Sequence, residues 1–219
     1  MSSLYHEYLV DDREFTSYED FKNNCKLKTK PDFNFAYDIV DKYATDFPGK
    51  RALVWIDDND EEETFTFDDI SRESKRAAYW LVSKGIKKGD TVMLVLRRRY
   101  EWWILMPALH RIGAIVIPAT DQLLQSDIEY RTNAADVKMI ISYDNPLIQG
   151  EIDKAMPKSK TVKYLVTVGK EARDGWISFH EEYEKMPAEF PRPVGDAATH
   201  NEDPMLLYFT SGTSGYPKM

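Results

Sequence analysis

The chain has 219 residues, 42% of them apolar and 13% aromatic, which is enough for a buried core and one or two domains. Thirty-seven acidic residues against 29 basic ones give a net charge of −8. This balance argues against nucleic acid or an anionic membrane as the main partner, because both attract clustered Lys and Arg. Cys25 is the only cysteine, so an internal disulfide is excluded and a reducing compartment is expected.

The N-terminal residues lack the pattern of a secretory signal or an organelle transit peptide. No apolar run approaches the ~20 residues that a membrane-spanning helix needs. We therefore expect a cytoplasmic protein without a membrane span.

Helices and a hairpin are predicted in the first part of the chain. Residues 1–33 are polar with scattered aromatic residues and predict a helical N-terminal arm. FNFAYDIVDKYATDFPGK has apolar residues at helical spacing and predicts a helix that ends at Pro48-Gly49. ALVWI (52–56) and TFTF (64–67) predict a hairpin around the acidic turn DDNDEEE. That turn lacks the glycine and ligand spacing of a calcium loop, so we interpret it as solvated.

From residue 66 onward, helices alternate with strands. Thr66 with Asp69 and Ser126 with Glu129 predict capping boxes for two of the helices. Other helices are predicted over residues 100–113 and 146–156, and WISFHEEYEKM is a further candidate. The strands are continuous apolar runs, as in strands buried on both faces, and they are TVMLVL (91–96), AIVIPA (114–119), VKMIIS (137–142), TVKYLVTV (161–168) and PMLLYF (204–209). This alternation predicts an α/β fold with a parallel, doubly wound βαβ sheet and flanking helices.

The segment TSGTSGYPKM (210–219) follows the last predicted strand. Its glycines permit backbone N–H groups to converge on one point, its hydroxyls add short donors, and its lysine adds a positive charge. Ligands of open α/β sheets bind at the carboxyl ends of strands, where this segment begins. The spacing is not that of a Walker motif, which argues against a Walker-type ATPase or kinase. The alternative is an ordinary surface loop rich in Ser and Gly.

YFTSGTSGYPKM closely resembles the phosphate-loop motif of the adenylate-forming superfamily. FNFAYDIVDKYA, the stretch from KKGDTVMLVL to AIVIPAT, and SDIEYRTNAADVKMIIS are similar to acetyl- and medium-chain acyl-CoA synthetases, so the resemblance extends from about residue 33 onward. The combination of Glu101-Trp102-Trp103 with the TSGTSG loop points to the medium-chain type.

The resemblance implies an N-terminal arm (1–33) followed by an incomplete N-terminal adenylation domain (34–219), the first part of the large domain of these enzymes. It implies a full-length enzyme that uses ATP, Mg²⁺ and coenzyme A to convert a small-molecule carboxylate to acyl-AMP and then to a thioester. The positions that would bind the ATP phosphates are Thr210, Ser211, Gly212, Thr213, Ser214, Gly215 and Lys218. The family's magnesium ligand, acyl pocket and catalytic lysine lie beyond Met219. We therefore expect no metal ligands in this chain, no bound cofactor and no activity of the chain alone.

Other interpretations of the sequence stay open. The chain could instead be a stand-alone nucleotide-binding, phosphate-binding or regulatory module. Arg97, Arg98 and Arg99 either face an anion or form a solvated turn with one arginine paired to an acidic neighbour, and we favour the second. The four scattered histidines have no metal-ligand spacing. An incomplete sheet would leave an unpaired edge, so self-association is a further expectation. We also expect poor order from about Ser211 onward.

Overall fold

The computed structural model describes residues 4–11, 13–28, 30–169, 173–210 and 217–219. Its helices are α1 (Tyr18–Asn24), α2 (Lys42–Asp46), α3 (Phe67–Ser83), α4 (Trp102–Ile112), α5 (Gln125–Ala134), α6 (Pro146–Ala155) and α7 (Phe179–Tyr183). A π-helical turn over Ala36–Asp41 leads into α2. Its strands are β1 (Arg51–Ile56), β2 (Glu62–Thr66), β3 (Thr91–Val95), β4 (Ile115–Pro118), β5 (Val137–Tyr143), β6 (Tyr164–Val168) and β7 (Ile177–Ser178).

Five strands form one parallel sheet in the order β4-β3-β5-β6-β7. In chain order, β3 is the first strand of this sheet. The second strand, β4, lies on one side of β3 and the third, β5, lies on the other, which is the strand order of one common doubly wound fold. All five residues of β3 are buried, as expected for a central strand covered on both faces. The predicted fold class is confirmed.

Successive residues of β3 point to opposite faces of the sheet and so enter two separate cores. Val92 and Leu94 pack in the core that α3, α4 and α7 cover. Met93 and Val95 pack in the core that α5 and α6 cover. The helices therefore lie on both faces of the sheet, as the doubly wound prediction requires.

The predicted hairpin and the first predicted capping box are both confirmed. β1 and β2 pair antiparallel, apart from the five-stranded sheet. At the start of α3, the Asp69 backbone N–H donates to the Thr66 hydroxyl at 3.1 Å, and the Asp69 carboxylate accepts from the Thr66 backbone N–H at 2.9 Å. These bonds satisfy donors that the first turn of a helix leaves without an intrahelical partner.

The second predicted capping box, Ser126 with Glu129, is wrong. α5 begins at Gln125 with Leu124 as its N-cap, two residues before the predicted cap, so Ser126 lies in the first turn. The Asp127 carboxylate instead accepts from the Leu124 backbone N–H at 3.2 Å. Glu129 accepts from the Gln125 side-chain amide at 2.7 Å, one turn back on the same helix.

The strand predicted over residues 204–209 is correct in position but too long. Only Leu206 forms a parallel bridge, with Val116 of β4. The Val116 N–H donates to the Met205 carbonyl at 3.0 Å, and the Leu207 N–H donates to the Val116 carbonyl at 2.9 Å. The next donor of β4 toward this segment would be residue 118, which is a proline without an N–H group, so the ladder ends there.

The predicted helical arm is mostly not helical. It contains a 3₁₀ turn (Leu4–Tyr8) and the short helix α1, while Leu9 and Leu27 form an antiparallel bridge. The arm contacts the rest of the chain through the Tyr8 hydroxyl, which donates to the Asp38 carbonyl at 3.2 Å. A domain boundary after residue 33 stays a prediction.

A buried ion pair joins α4 to the turn before α2. The Arg111 side chain is completely buried and donates to the two Asp41 carboxylate oxygens at 2.8 and 2.6 Å. It also donates to the Ser74 hydroxyl of α3 at 3.2 and 3.0 Å. Removing one member of such a pair leaves an uncompensated charge in the core, which costs far more than losing a surface pair.

We expect Asp41→Ala to lower the free energy of unfolding by about 3–5 kcal/mol, because Arg111 would keep its charge without its counterion. Urea denaturation followed by circular dichroism measures this change. Asp46→Ala is the matched control, since its pair with Lys42 is partly exposed and is expected to contribute below about 1 kcal/mol. Equal losses for the two variants would contradict the prediction.

His110 is buried on α4 without a hydrogen-bond partner for its ring. It is 8% exposed, and neither ring nitrogen is hydrogen-bonded to any residue that the structure describes. Burial lowers the pKa of His110 to about 4. The folded chain therefore keeps this imidazole neutral at pH values where the unfolded chain protonates it.

Between about pH 6.5 and pH 4, the unfolded chain binds one more proton at this position than the folded chain, so stability falls as the pH falls. We expect His110→Phe to remove up to about 3 kcal/mol of that acid-dependent loss. The free energy of unfolding of both proteins, measured from pH 7.5 to pH 4.5, tests this. The same change at exposed His200 serves as the control, and an unaltered pH slope in His110→Phe would contradict the prediction.

Candidate functional site

The predicted phosphate loop begins at the carboxyl edge of the sheet. Because the segment around Leu206 runs parallel to β4, residues that follow it emerge at the edge where β3, β4 and β5 also end. Leu206 packs against one core, while Leu207 and Phe209 pack against the other. The alternation holds this segment in register with the sheet up to the start of the loop.

Backbone hydrogen bonds join the two ends of the loop. The Thr210 N–H donates to the Lys218 carbonyl at 2.9 Å, and the Lys218 N–H donates to the Thr210 carbonyl at 3.1 Å. Side chains of residues paired in this way lie on the same face of the ladder. The structure thus brings together the first and last of the predicted phosphate-binding residues.

The other five predicted residues, Ser211, Gly212, Thr213, Ser214 and Gly215, lie outside the described residues, and so does most of the segment predicted to be poorly ordered. Thr210 and Lys218 are both exposed. Lys218 forms no ion pair with a carboxylate of the described part of the chain, so its charge is not neutralised there. A hydroxyl and an ammonium group on one side of a paired backbone fit an anionic ligand such as a phosphate.

Helix α5 anchors the loop from the side. The Tyr130 hydroxyl donates to the Pro217 carbonyl at 2.8 Å, next to Lys218. The Arg131 guanidinium lies 5.0 Å from the centre of the Phe209 ring, and the Tyr130 ring lies 6.2 Å from it. Sequence reasoning missed these contacts, because a tyrosine on a predicted helix gives no sign of the distant carbonyl that it reaches.

The arginine triplet after β3 is largely engaged with acidic neighbours. Arg97, in the left-handed backbone region at φ 48°, lies 3.4 Å from the Asp121 carboxylate. Arg99 donates to both Glu101 oxygens, at 3.1 and 2.7 Å. The favoured interpretation, a turn with an arginine paired to an acidic neighbour, is confirmed.

Glu101 is the centre of a buried charge cluster that the sequence does not reveal. Its side chain is fully buried and accepts from Arg99 and, at 3.0 Å, from His180 of α7. Burial opposes its ionisation, but the bonds from His180 and Arg99 outweigh burial and hold the pKa of Glu101 below its ordinary value. The adjacent Trp102 packs against the core, whereas Trp103 is 53% exposed.

Two kinds of site have no candidate in the described ranges. Those residues contain no group of three or more His, Cys, Asp or Glu that could hold a metal ion. Their helices include none that is long and apolar enough to cross a membrane.

The family model of the AMP-binding enzymes matches residues 40–219. Two similar relatives are acyl-coenzyme A synthetase ACSM3, mitochondrial, of Homo sapiens and acyl-coenzyme A synthetase ACSM5, mitochondrial, of Rattus norvegicus. The first is 34% identical over 218 residues, 94% of this chain and 35% of the relative. The second is 35% identical over 193 residues, 85% of this chain and 32% of the relative.

Solved structures agree with this assignment. A Brucella canis acyl-CoA synthetase is 25% identical at a TM-score of 0.72, with 87% of this chain and 33% of that chain covered. The anthranilate CoA ligase AuaEII, with bound anthranoyl-AMP, is 22% identical at a TM-score of 0.73 over 86% and 34% of the two chains, and supports the fold alone.

The parallel sheet and the family match define an AMP-binding α/β domain. The chain belongs to the AMP-binding enzyme family and is similar in sequence to its acyl-CoA synthetases. It spans about a third of the length of those relatives.

We expect Tyr130→Phe to free the carboxyl end of the loop, because it removes only the hydroxyl that binds Pro217. Hydrogen exchange at the Thr210 and Lys218 amides should accelerate about threefold to tenfold, as a lost hydrogen bond of ordinary strength implies. Tyr164→Phe on β6 is the matched control and should leave both rates unchanged. Identical exchange in the two variants would refute the anchoring role.

Proposed function

We propose that the whole protein is an ATP-dependent, AMP-forming acyl-CoA synthetase for a short- or medium-chain carboxylate. The observation that carries the proposal is the pairing of Thr210 with Lys218 at the carboxyl edge of the sheet, with the lysine uncompensated by any described carboxylate. The family membership supports the reaction class. The combination of Glu101-Trp102-Trp103 with the TSGTSG loop supports the chain length.

In the proposed reaction, a carboxylate oxygen attacks the α-phosphorus of ATP, and the bond to pyrophosphate breaks. Coenzyme A sulfur then attacks the acyl carbon of the acyl-adenylate, and AMP leaves as the thioester forms. Mg²⁺, when bound with ATP, would offset part of the charge on the phosphates, and no residue of this chain is assigned to it.

The role of this chain is to position and neutralise the departing phosphates. Residues Thr210–Gly215 would donate hydrogen bonds to the β- and γ-phosphates, and Lys218 would place its charge beside them. At about 4 Å, one such charge pair is worth ~1 kcal/mol in water and ~4 kcal/mol where the effective dielectric constant is near 20. A site that closes over the nucleotide therefore makes better use of Lys218 than an open loop does.

Compartment and assembly remain proposals. We propose a cytoplasmic location, while both relatives described above are named mitochondrial. Self-association of this chain is proposed from the edge beside Leu206, where the ladder ends early. Microscopy of the tagged whole protein decides the first, and light scattering after size-exclusion chromatography decides the second.

ATP–pyrophosphate exchange across a panel of carboxylates tests the proposed function. We expect exchange in the whole protein and none in the 219-residue chain. In the whole protein, Lys218→Met should lower kcat/KM for ATP about 100-fold, since a charge aimed at the transition state is lost.

Lys160→Met is the control, because that lysine is exposed and is not in the loop. Exchange by the whole protein that is insensitive to Lys218→Met would reject the proposed role of the lysine. Absence of exchange with every carboxylate would reject the reaction class.

A further inference from the structure

A polar cleft of about 540 Å³ lies between the β1–β2 hairpin, α3, the start of α4 and α7. Neither Thr210 nor Lys218 is among its described lining residues. Its lining combines aromatic rings, acids and two arginines, namely Thr64, Phe65, Asp69, Arg72, Glu73, Arg76, Tyr100, Ile104, Tyr183 and Glu184.

Aromatic rings with unpaired hydroxyl groups form part of the wall. Phe65 and Tyr100 are stacked, with ring centres 5.0 Å apart and planes at 29°. Tyr183 is only 5% exposed, and its ring stacks on Phe179 at 4.2 Å. Neither tyrosine hydroxyl forms a hydrogen bond with a described residue, so both can bond a ligand or solvent in the cleft.

The two arginines of the cleft already contact neighbouring carboxylates and a backbone carbonyl. Arg72 donates to Glu73 at 2.8 Å and to Asp69 at 2.7 Å, and its third nitrogen lies 3.5 Å from Asp68. Arg76 donates to the Glu184 backbone carbonyl at 2.6 Å, and its Nε is buried 3.9 Å from the Glu73 carboxylate. Of the guanidinium nitrogens named here, only the Arg76 Nε lacks a hydrogen-bond partner among the described residues, and because it is buried it is not open to an incoming anion.

The acidic groups of the cleft are less fully compensated. The lining contains three carboxylates, Asp69, Glu73 and Glu184, against the two arginines. Glu184 is 60% exposed, and its nearest basic neighbour is His180 at 3.3 Å. Burial raises the pKa of Tyr183, and the carboxylates of Glu73 and Glu184 raise it further because they would repel a phenolate.

We propose that this cleft binds a primary ammonium group carried on a short apolar stem. The ammonium would interact with Glu184 and the Tyr183 hydroxyl oxygen, and the stem would lie along the Phe65–Tyr100 stack, where burial of apolar surface adds to the binding. A metal ion fits less well, because the described residues contain no metal-holding group of acids and histidines. The ligand chemistry is shared by free alkylamines and by lysine side chains, and it is independent of acyl transfer.

Isothermal titration calorimetry with three probes of equal length tests the proposal. Hexylammonium should bind this chain at least about tenfold more tightly than 1-hexanol or hexanesulfonate, because only the first presents a positive charge. Nα-acetyl-lysine methylamide distinguishes the two sources: tighter binding than hexylammonium assigns the site to a lysine of a polypeptide, and weaker binding assigns it to a free amine.

Variants locate the probe in the cleft. Tyr183→Phe and Glu184→Gln should each weaken hexylammonium binding about threefold to tenfold, with Tyr79→Phe and Glu181→Gln, which do not line the cleft, as matched controls. Tyr183→Phe keeps the ring stacked on Phe179, so folding is retained. Equal binding of the three probes, or no difference between the cleft variants and their controls, would overturn the proposal.

Discussion

The burial of β3 on both faces is the constraint on which the other elements depend. Its alternating residues enter two cores, so helices must cover both faces and the strands beside it must be reached by crossovers. Parallel neighbours then place all their carboxyl ends at one edge. The arginine turn, the Asp121 carboxylate and the start of the phosphate loop lie near that edge for this reason.

Much of the fold could be predicted because strands buried on both faces are uninterrupted apolar runs, and the helices between them are bounded by recognisable capping and turn residues. The Thr66 cap was found because its partner, Asp69, is three residues away. The start of α5 was misplaced because Ser126 and Glu129 fit the same spacing, while Asp127 caps Leu124 from inside the helix. Local patterns do not decide between two cap positions that lie two residues apart.

The sequence predicts the phosphate loop of the candidate site, but not the contacts that hold the loop in place. The loop was identified from its glycines and hydroxyls, whereas the contact of Tyr130 with Pro217 and the cluster around Glu101 join residues far apart in sequence. Such pairs depend on how helices pack on the sheet, and nothing in the local sequence reports that packing. The structure therefore shows which residues hold the loop, whereas the sequence already indicates where the loop begins.

Pro118 has an effect beyond the end of its own strand. Because it offers no N–H toward Leu207, the neighbouring segment stops pairing with β4 after Leu207. Phe209 thus remains free of the ladder and is held by Arg131 and Tyr130 of α5 instead. Because Pro118 lacks an N–H hydrogen, the chain changes its contacts from the sheet to α5 after Leu207. This change also sets the point at which the loop begins.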